Sequence, residues 1–92
     1  MSTGPFDSEA EVRALPAVTA AFEASRKAPK PSVLTEHALT ILAVALGTAD
    51  VELGDYDQRI VDLLARGEIQ TAAVIASWIE RAYQNGLRDG HE

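Results

Sequence analysis

The sequence predicts an all-α domain, a compact and irregular bundle of four helices. Three observations carry this prediction. Apolar residues recur at three- and four-residue spacing along most of the chain, and no segment alternates convincingly as a strand would. Two stretches, Ser8-Glu9-Ala10-Glu11 and Asp55-Tyr56-Asp57-Gln58, carry a helix-start pattern, a small polar residue followed three positions later by an acid or an amide. Alanine is the commonest residue and aromatic residues are only 5% of the chain, a composition suited to helices that approach one another closely.

The first helix is expected over residues 9–28, with Ser8 as N-cap and Glu11 reaching back to it. Val12, Leu15, Val18 and Phe22 recur at helical spacing along it. Pro16 breaks the run, because proline removes a helical hydrogen bond and disfavours helical geometry at Leu15. Two forms fit: one kinked helix, or a short turn at 9–14 followed by a helix that begins at Pro16. The second is preferred, since the first helical position suits proline. Residues 28–32, Ala-Pro-Lys-Pro-Ser, read as a linker. The second helix is expected over 36–46, capped by Thr35 and closed by Gly47. Its polar side is confined to Glu36, His37 and Thr40, which predicts a central, buried helix.

Residues 48–54 read as a loop, with Val51 and Leu53 covering an edge of the core. The third helix is expected over 56–66, with Asp55 and Asp57 at the positive end of its dipole. Ile60, Val61, Leu63 and Leu64 form its inward face, and Asp57, Asp62 and Arg66 face water. Gly67 separates it from the fourth helix, 68–85, which Gly86 stops. The domain reading is therefore an arm at 1–7, one helical domain at 8–86 and a frayed tail at 87–92.

A chain of 92 residues has room for one core and little for a deep substrate cleft. The net charge is -6, and none of the segments 1–31, 32–54 and 55–92 is net basic. That balance argues against a nucleic-acid surface or an anionic membrane as the partner, since both need clustered Lys and Arg. There is no cysteine, so disulfides, thiolate metal sites and a Cys nucleophile are excluded. The stretch MSTGPFDSEAE lacks the basic flank and apolar run of a signal peptide, and the strongly apolar run Ala38 to Leu46 is short for a bilayer span. A cytoplasmic location without membrane attachment is the expectation.

Chemistry-bearing patterns are sparse. His37 and His91 belong to no paired-histidine metal motif. Asp55, Asp57 and Asp62 occupy capping and solvent positions and lack the remaining oxygen ligands of a calcium loop. The glycines are scattered, mostly at helix ends, so they build no phosphate loop, and no nucleophile motif is recognisable. No catalytic residue, metal or cofactor is assigned.

The stretch ARGEIQTAAVIASWIERAY, residues 65–83, carries the functional question. Its helix, glycine, helix outline resembles a DNA-reading helix-turn-helix made from helices 56–66 and 68–85. The expected outward polar arc of the second helix holds Gln70, Ser77, Arg81 and Gln84, with one cation, and Glu68 and Glu80 flank it. Its main apolar face comprises Ile69, Ala72, Ile75, Ala76, Ile79 and Tyr83. Val74 and Trp78 fall about 140° and 180° round from Ile69, well off that face. Trp78 is either a core residue packed under residues 48–54 or the proline linker, or part of an exposed seam. Residue-type statistics favour the core; position leaves the seam open.

The segments RALPAVTAAFEASR (13–26), VELGDYDQRIVDLLA (51–65) and TAAVIASWIERA (71–82) resemble short uncharacterised helical proteins of Streptomyces and related actinobacteria. The likeness implies an actinobacterial, intracellular, helical protein and no known activity or cofactor. The chain departs from that pattern at Gly67-Glu68-Ile69, where an aromatic, an acid and a proline are expected, and at Glu80. The functional expectation is a small acidic protein-protein interaction or regulatory module without catalysis. Val74, Trp78 and Arg81 are its candidate partner-binding residues, and the partner is another protein or a second copy. The alternative is the helix-turn-helix DNA-binding regulator.

Overall fold

Helix starts and stops set this architecture, and several lie where local sequence does not place them. The computed structural model describes residues 4–89; residues 1–3 and 90–92, His91 among them, lie outside the described residues. The described chain is all-helical and holds five helices rather than four: α1 (Glu9–Arg13), α2 (Pro16–Lys27), α3 (Pro31–Thr48), α4 (Asp55–Ala65) and α5 (Ile69–Asp89).

The extra helix comes from Pro16. Leu15 is extended (φ -61°, ψ 137°), as a residue before proline prefers, and α2 starts afresh at Pro16. Ser8 caps α1 as expected, its Oγ accepting from the Glu11 N–H at 3.3 Å. The reciprocal arm differs, because the Glu11 carboxylate accepts from the Asp7 N–H at 2.9 Å.

The same proline logic moves the start of α3. The helix begins at Pro31, with Lys30 as N-cap, so Thr35 lies inside the helix and does not cap it. Two prolines in three residues break a helix only if the second lies in its interior; at a first turn proline is well suited. Gly47 does not end α3 either. The stop is Asp50, at φ +59°, and the Val51 N–H donates to the Leu46 carbonyl at 3.0 Å. Aspartate tolerates this left-handed conformation better than most residues. Gly86 likewise lies within α5. In α4 the N-cap is Gly54, not Asp55, and the Asp57 carboxylate accepts the Gly54 N–H at 3.0 Å.

The most extensive helix–helix interface joins α3 to α5. α2 and α4 lie against α3, and α1 lies against α5. Alanine dominates the core: Ala38 and Ala45 on α3, and Ala72, Ala73 and Ala76 on α5, are all buried. Leu42 and Val18 are the largest apolar side chains that are fully buried. The molecule is flat, with principal extents of 49 × 32 × 17 Å. Val51 and Leu53 are exposed and do not cover the core edge. On α4 only part of the expected inward face is covered: Val61 is buried and Leu64 half-buried, whereas Ile60 and Leu63 are exposed.

At 18 residues α3 is longer than its apolar run suggested, and by length and mean hydropathy (1.2) it could cross a membrane. In the fold its Ala38, Leu42 and Ala45 are buried in the helical assembly. Val44, on another side of α3, is exposed.

Leu42 is 1% exposed in the middle of this alanine-rich core. Leu42→Ala is expected to cost about 2–5 kcal/mol, the range for leucine truncation in a rigid core. Urea denaturation followed by circular dichroism checks this, and a loss below about 1 kcal/mol would show a core that collapses round the deletion.

Candidate functional site

The candidate site is the outer face of α5 and the N-terminal segment that runs across it. α5 opens after the turn Arg66-Gly67-Glu68, and the Glu68 carbonyl accepts the Thr71 and Ala72 N–H groups at 3.0 and 3.4 Å. Ile69, Ala72, Ala73, Ala76 and Ser77 are buried, while Ile75, Ile79 and Tyr83 are only half-buried. The buried face is thus centred near Ile69 itself, roughly 60° round from the face that apolar spacing alone selects.

Part of this rotation comes from the far end of the chain. Residues 4–6 pack over the side of α5 that carries Ser77 and Arg81. Gly4 adopts φ +87°, and a Cβ there would lie 3.0 Å from the Ser77 hydroxyl oxygen, 3.1 Å from the Phe6 ring and 3.3 Å from the Arg81 guanidinium carbon. Only glycine fits both that backbone angle and that proximity. Phe6 is half-buried against the core. Ser77, expected on the outward polar arc, is 2% exposed, and its hydroxyl accepts from Arg81 Nε at 3.1 Å. At the start of α5, Gln70 Nε2 donates to the Glu9 carboxylate at 2.6 Å and ties α1 to the same helix.

Between this segment and α5 lies an open cleft of about 780 Å³. Its apolar wall includes Phe6, Val12, Val74, Ile75 and Trp78. Glu9, Glu68 and Gln70 line it toward the start of α5, and Arg81 lines it three turns further along. The cleft is therefore acidic near the start of α5 and carries a cation about 17 Å away along the helix, at 1.5 Å per residue.

All three sequence-predicted site residues, Val74, Trp78 and Arg81, line this one cleft. Trp78 is 58% exposed, so it is a surface residue and not a core one. Neither residues 48–54 nor the proline linker lines the cleft beside it; the N-terminal segment does. Sequence reasoning missed Gly4, Phe6 and Ser77. One signal was available, since Phe6 is a large apolar side chain in an otherwise small and polar N-terminal stretch.

The cleft's remaining polar lining is Asp7, Ser8 and Thr71. His37 lies elsewhere, on α3, where its Nδ1 is 2.9 Å from the Val33 carbonyl oxygen one turn back. Asp57 caps α4, and Asp62 accepts from Gln58 Nε2 at 3.2 Å. Among the described residues, no three His, Asp or Glu side chains converge as a metal site would require. Compared with family models, with curated proteins and with solved structures, the chain matches none.

Two substitutions separate the surface from its support. Trp78→Ala should change folding stability by less than about 1 kcal/mol, whereas a buried tryptophan would cost about 3–5. Gly4→Ala should destabilise by about 1 kcal/mol or more, because it combines backbone strain with a close contact. Thermal denaturation of both variants checks the pair; the reverse order would mean that Trp78 is covered and the segment is not packed on α5.

Proposed function

We propose that this chain is a small, acidic, non-catalytic protein-binding module of the cytoplasm that works through helix surfaces. The observation that carries the reading is an exposed Trp78 on the wall of a cleft shared with Val74, Phe6 and Arg81. Tryptophan buries a large area with little loss of side-chain freedom, and it is enriched among residues that dominate binding energy. A small soluble domain gains nothing in folding from leaving that area in water.

Charge narrows the partner to one kind of segment. The cleft's acidic end and distant cation suit an amphipathic helix of about three turns. Its apolar stripe would lie on Val74 and Trp78, with basic residues opposite Glu9 and Glu68. An acidic residue would meet Arg81. The DNA-reading alternative would use α4, the turn at Gly67 and α5. Its expected reading arc includes Ser77, which lies beneath the N-terminal segment, and the surrounding charge is acidic.

Fluorescence anisotropy with a labelled panel of amphipathic helical peptides tests the proposal. Peptides with a basic end should bind in the micromolar range, and charge-reversed versions at least about 10-fold more weakly. Trp78→Ala and Val74→Glu should each lose most of that affinity. The reading fails if every basic peptide is ignored, or if Trp78→Ala binds as the parent does. A labelled mixed-sequence duplex at low salt is the second arm: salt-dependent binding that disappears in Arg81→Glu would favour the DNA regulator instead.

A further inference from the structure

Helix α4 carries apolar surface that its own chain does not cover. Taking Tyr56 as 0° on the helical wheel, Ile60 and Leu63 fall within about 40° of it, so the three form one stripe. They are 72%, 38% and 63% exposed respectively. The opposite side of α4, at Val61 and Ala65, is already buried in the core. Beyond the first turn, where Asp57 caps the helix, α4 is therefore apolar over roughly 200° of arc, more than one packing partner uses.

The edge of this stripe identifies what covers it. Asp55, Arg59, Asp62 and Arg66 lie along one side of α4, about 240–300° round from Tyr56. Their signs run minus, plus, minus, plus. That order is its own complement when reversed. An antiparallel second copy places Asp55 opposite the second copy's Arg66, and Arg59 opposite its Asp62. A parallel copy sets this edge against the other edge of the second copy's stripe, which carries Asp57 and Leu64, so the four charges do not pair with one another. Within the chain these charges are not satisfied by one another: among the described residues, the ion pairs are Arg13 with Glu9 and Arg26 with Glu23.

The apolar stripe supports the same register independently. Pairing the charges in this way centres the two-fold axis between Ile60 and Val61. At 1.5 Å per residue, Leu63 then falls midway between the second copy's Tyr56 and Ile60. Tyr56 falls midway between the second copy's Leu63 and Gly67, where the absence of a side chain leaves room for the ring. Apolar side chains seated between pairs of facing residues are the packing of antiparallel helix pairs. Charge register and steric register need not agree, and here they do.

We propose that α4 is the seam of a two-fold homodimer, antiparallel to the second copy's α4 and in the register Asp55 to Arg66. This surface is distinct from the Trp78 cleft. An 11-residue helix pair buries less than the roughly 1,200–2,000 Å² of standard stable interfaces, so the dimer is weak, with a dissociation constant in the micromolar range. Such a chain is monomeric when dilute and paired when concentrated or tethered.

Sedimentation velocity of the full chain from about 5 μM to 1 mM tests this. The expected result is a concentration-dependent shift from the 9.8 kDa monomer toward twice that mass. Leu63→Glu should raise the dissociation constant at least about 10-fold, and Trp78→Ala should leave it unchanged, with circular dichroism confirming helix in both. Two charge variants decide the register. Arg59→Glu with Arg66→Glu makes one edge acidic, and Asp55→Arg with Asp62→Arg makes it basic. Each alone should remain monomeric, and a mixture of the two should pair. The proposal is overturned by a strict monomer at 1 mM, by dimerisation that Trp78→Ala abolishes and Leu63→Glu spares, or by charge variants that do not pair when mixed.

Discussion

The rest of this structure depends on the close seating of α3 against α5 through alanine. Ala38 and Ala45 on one helix and Ala72, Ala73 and Ala76 on the other contribute little bulk, which allows two long helices to pack at short range. Close seating has a cost in apolar volume. Leu42 and Val18 are the only large apolar side chains fully out of water among the described residues, and each methylene left outside forgoes about 0.8 kcal/mol. A core built this way folds a small chain while its larger hydrophobic residues, Val44, Tyr56, Leu63 and Trp78, stay on the surface.

The N-terminal segment acts on that frame in a second step. Placed over Ser77 and Arg81, Gly4 to Phe6 bury a polar side of α5 and leave the side with Val74 and Trp78 outward. Ser77 is tolerated inside because its hydroxyl is hydrogen-bonded, as a buried polar group must be. The segment therefore has two effects from one contact. It shields a serine that would otherwise be wet, and it supplies the second wall of the cleft. A cleft formed in this way depends on residues more than seventy positions apart in the chain, Gly4 and Ser77 among them.

The two exposed apolar surfaces differ in character. The cleft on α5 is concave, is lined by two aromatic side chains, Phe6 and Trp78, and carries opposite charges at its two ends. The face of α4 is a single convex stripe with an alternating charged edge. A concave, polarised site suits a foreign segment, and a convex, self-complementary stripe suits a copy of itself. A weak pairing through α4 would present two copies of the cleft, which raises effective affinity for a partner with two binding segments without any new contact.

Local chemistry determined the helical class, the break at Pro16 and the cap at Ser8, because each depends on a residue's own backbone preferences or on a neighbour three positions away. It also placed Val74, Trp78 and Arg81 off the main apolar face, since helical spacing is a local property. It misplaced the ends of α3. Gly47 and Thr35 carry end signals, yet the helix starts at Pro31 and stops at Asp50, running through a glycine that costs about 1 kcal/mol. It also took Ile60 and Leu63 as inward. Periodicity reports which residues share a face, but not how many partners the fold supplies to cover it. Whether Trp78 meets the core or water was decided only by tertiary structure, through a glycine and a phenylalanine at the far end of the chain. Those contacts are long-range, and no spacing along the sequence encodes them.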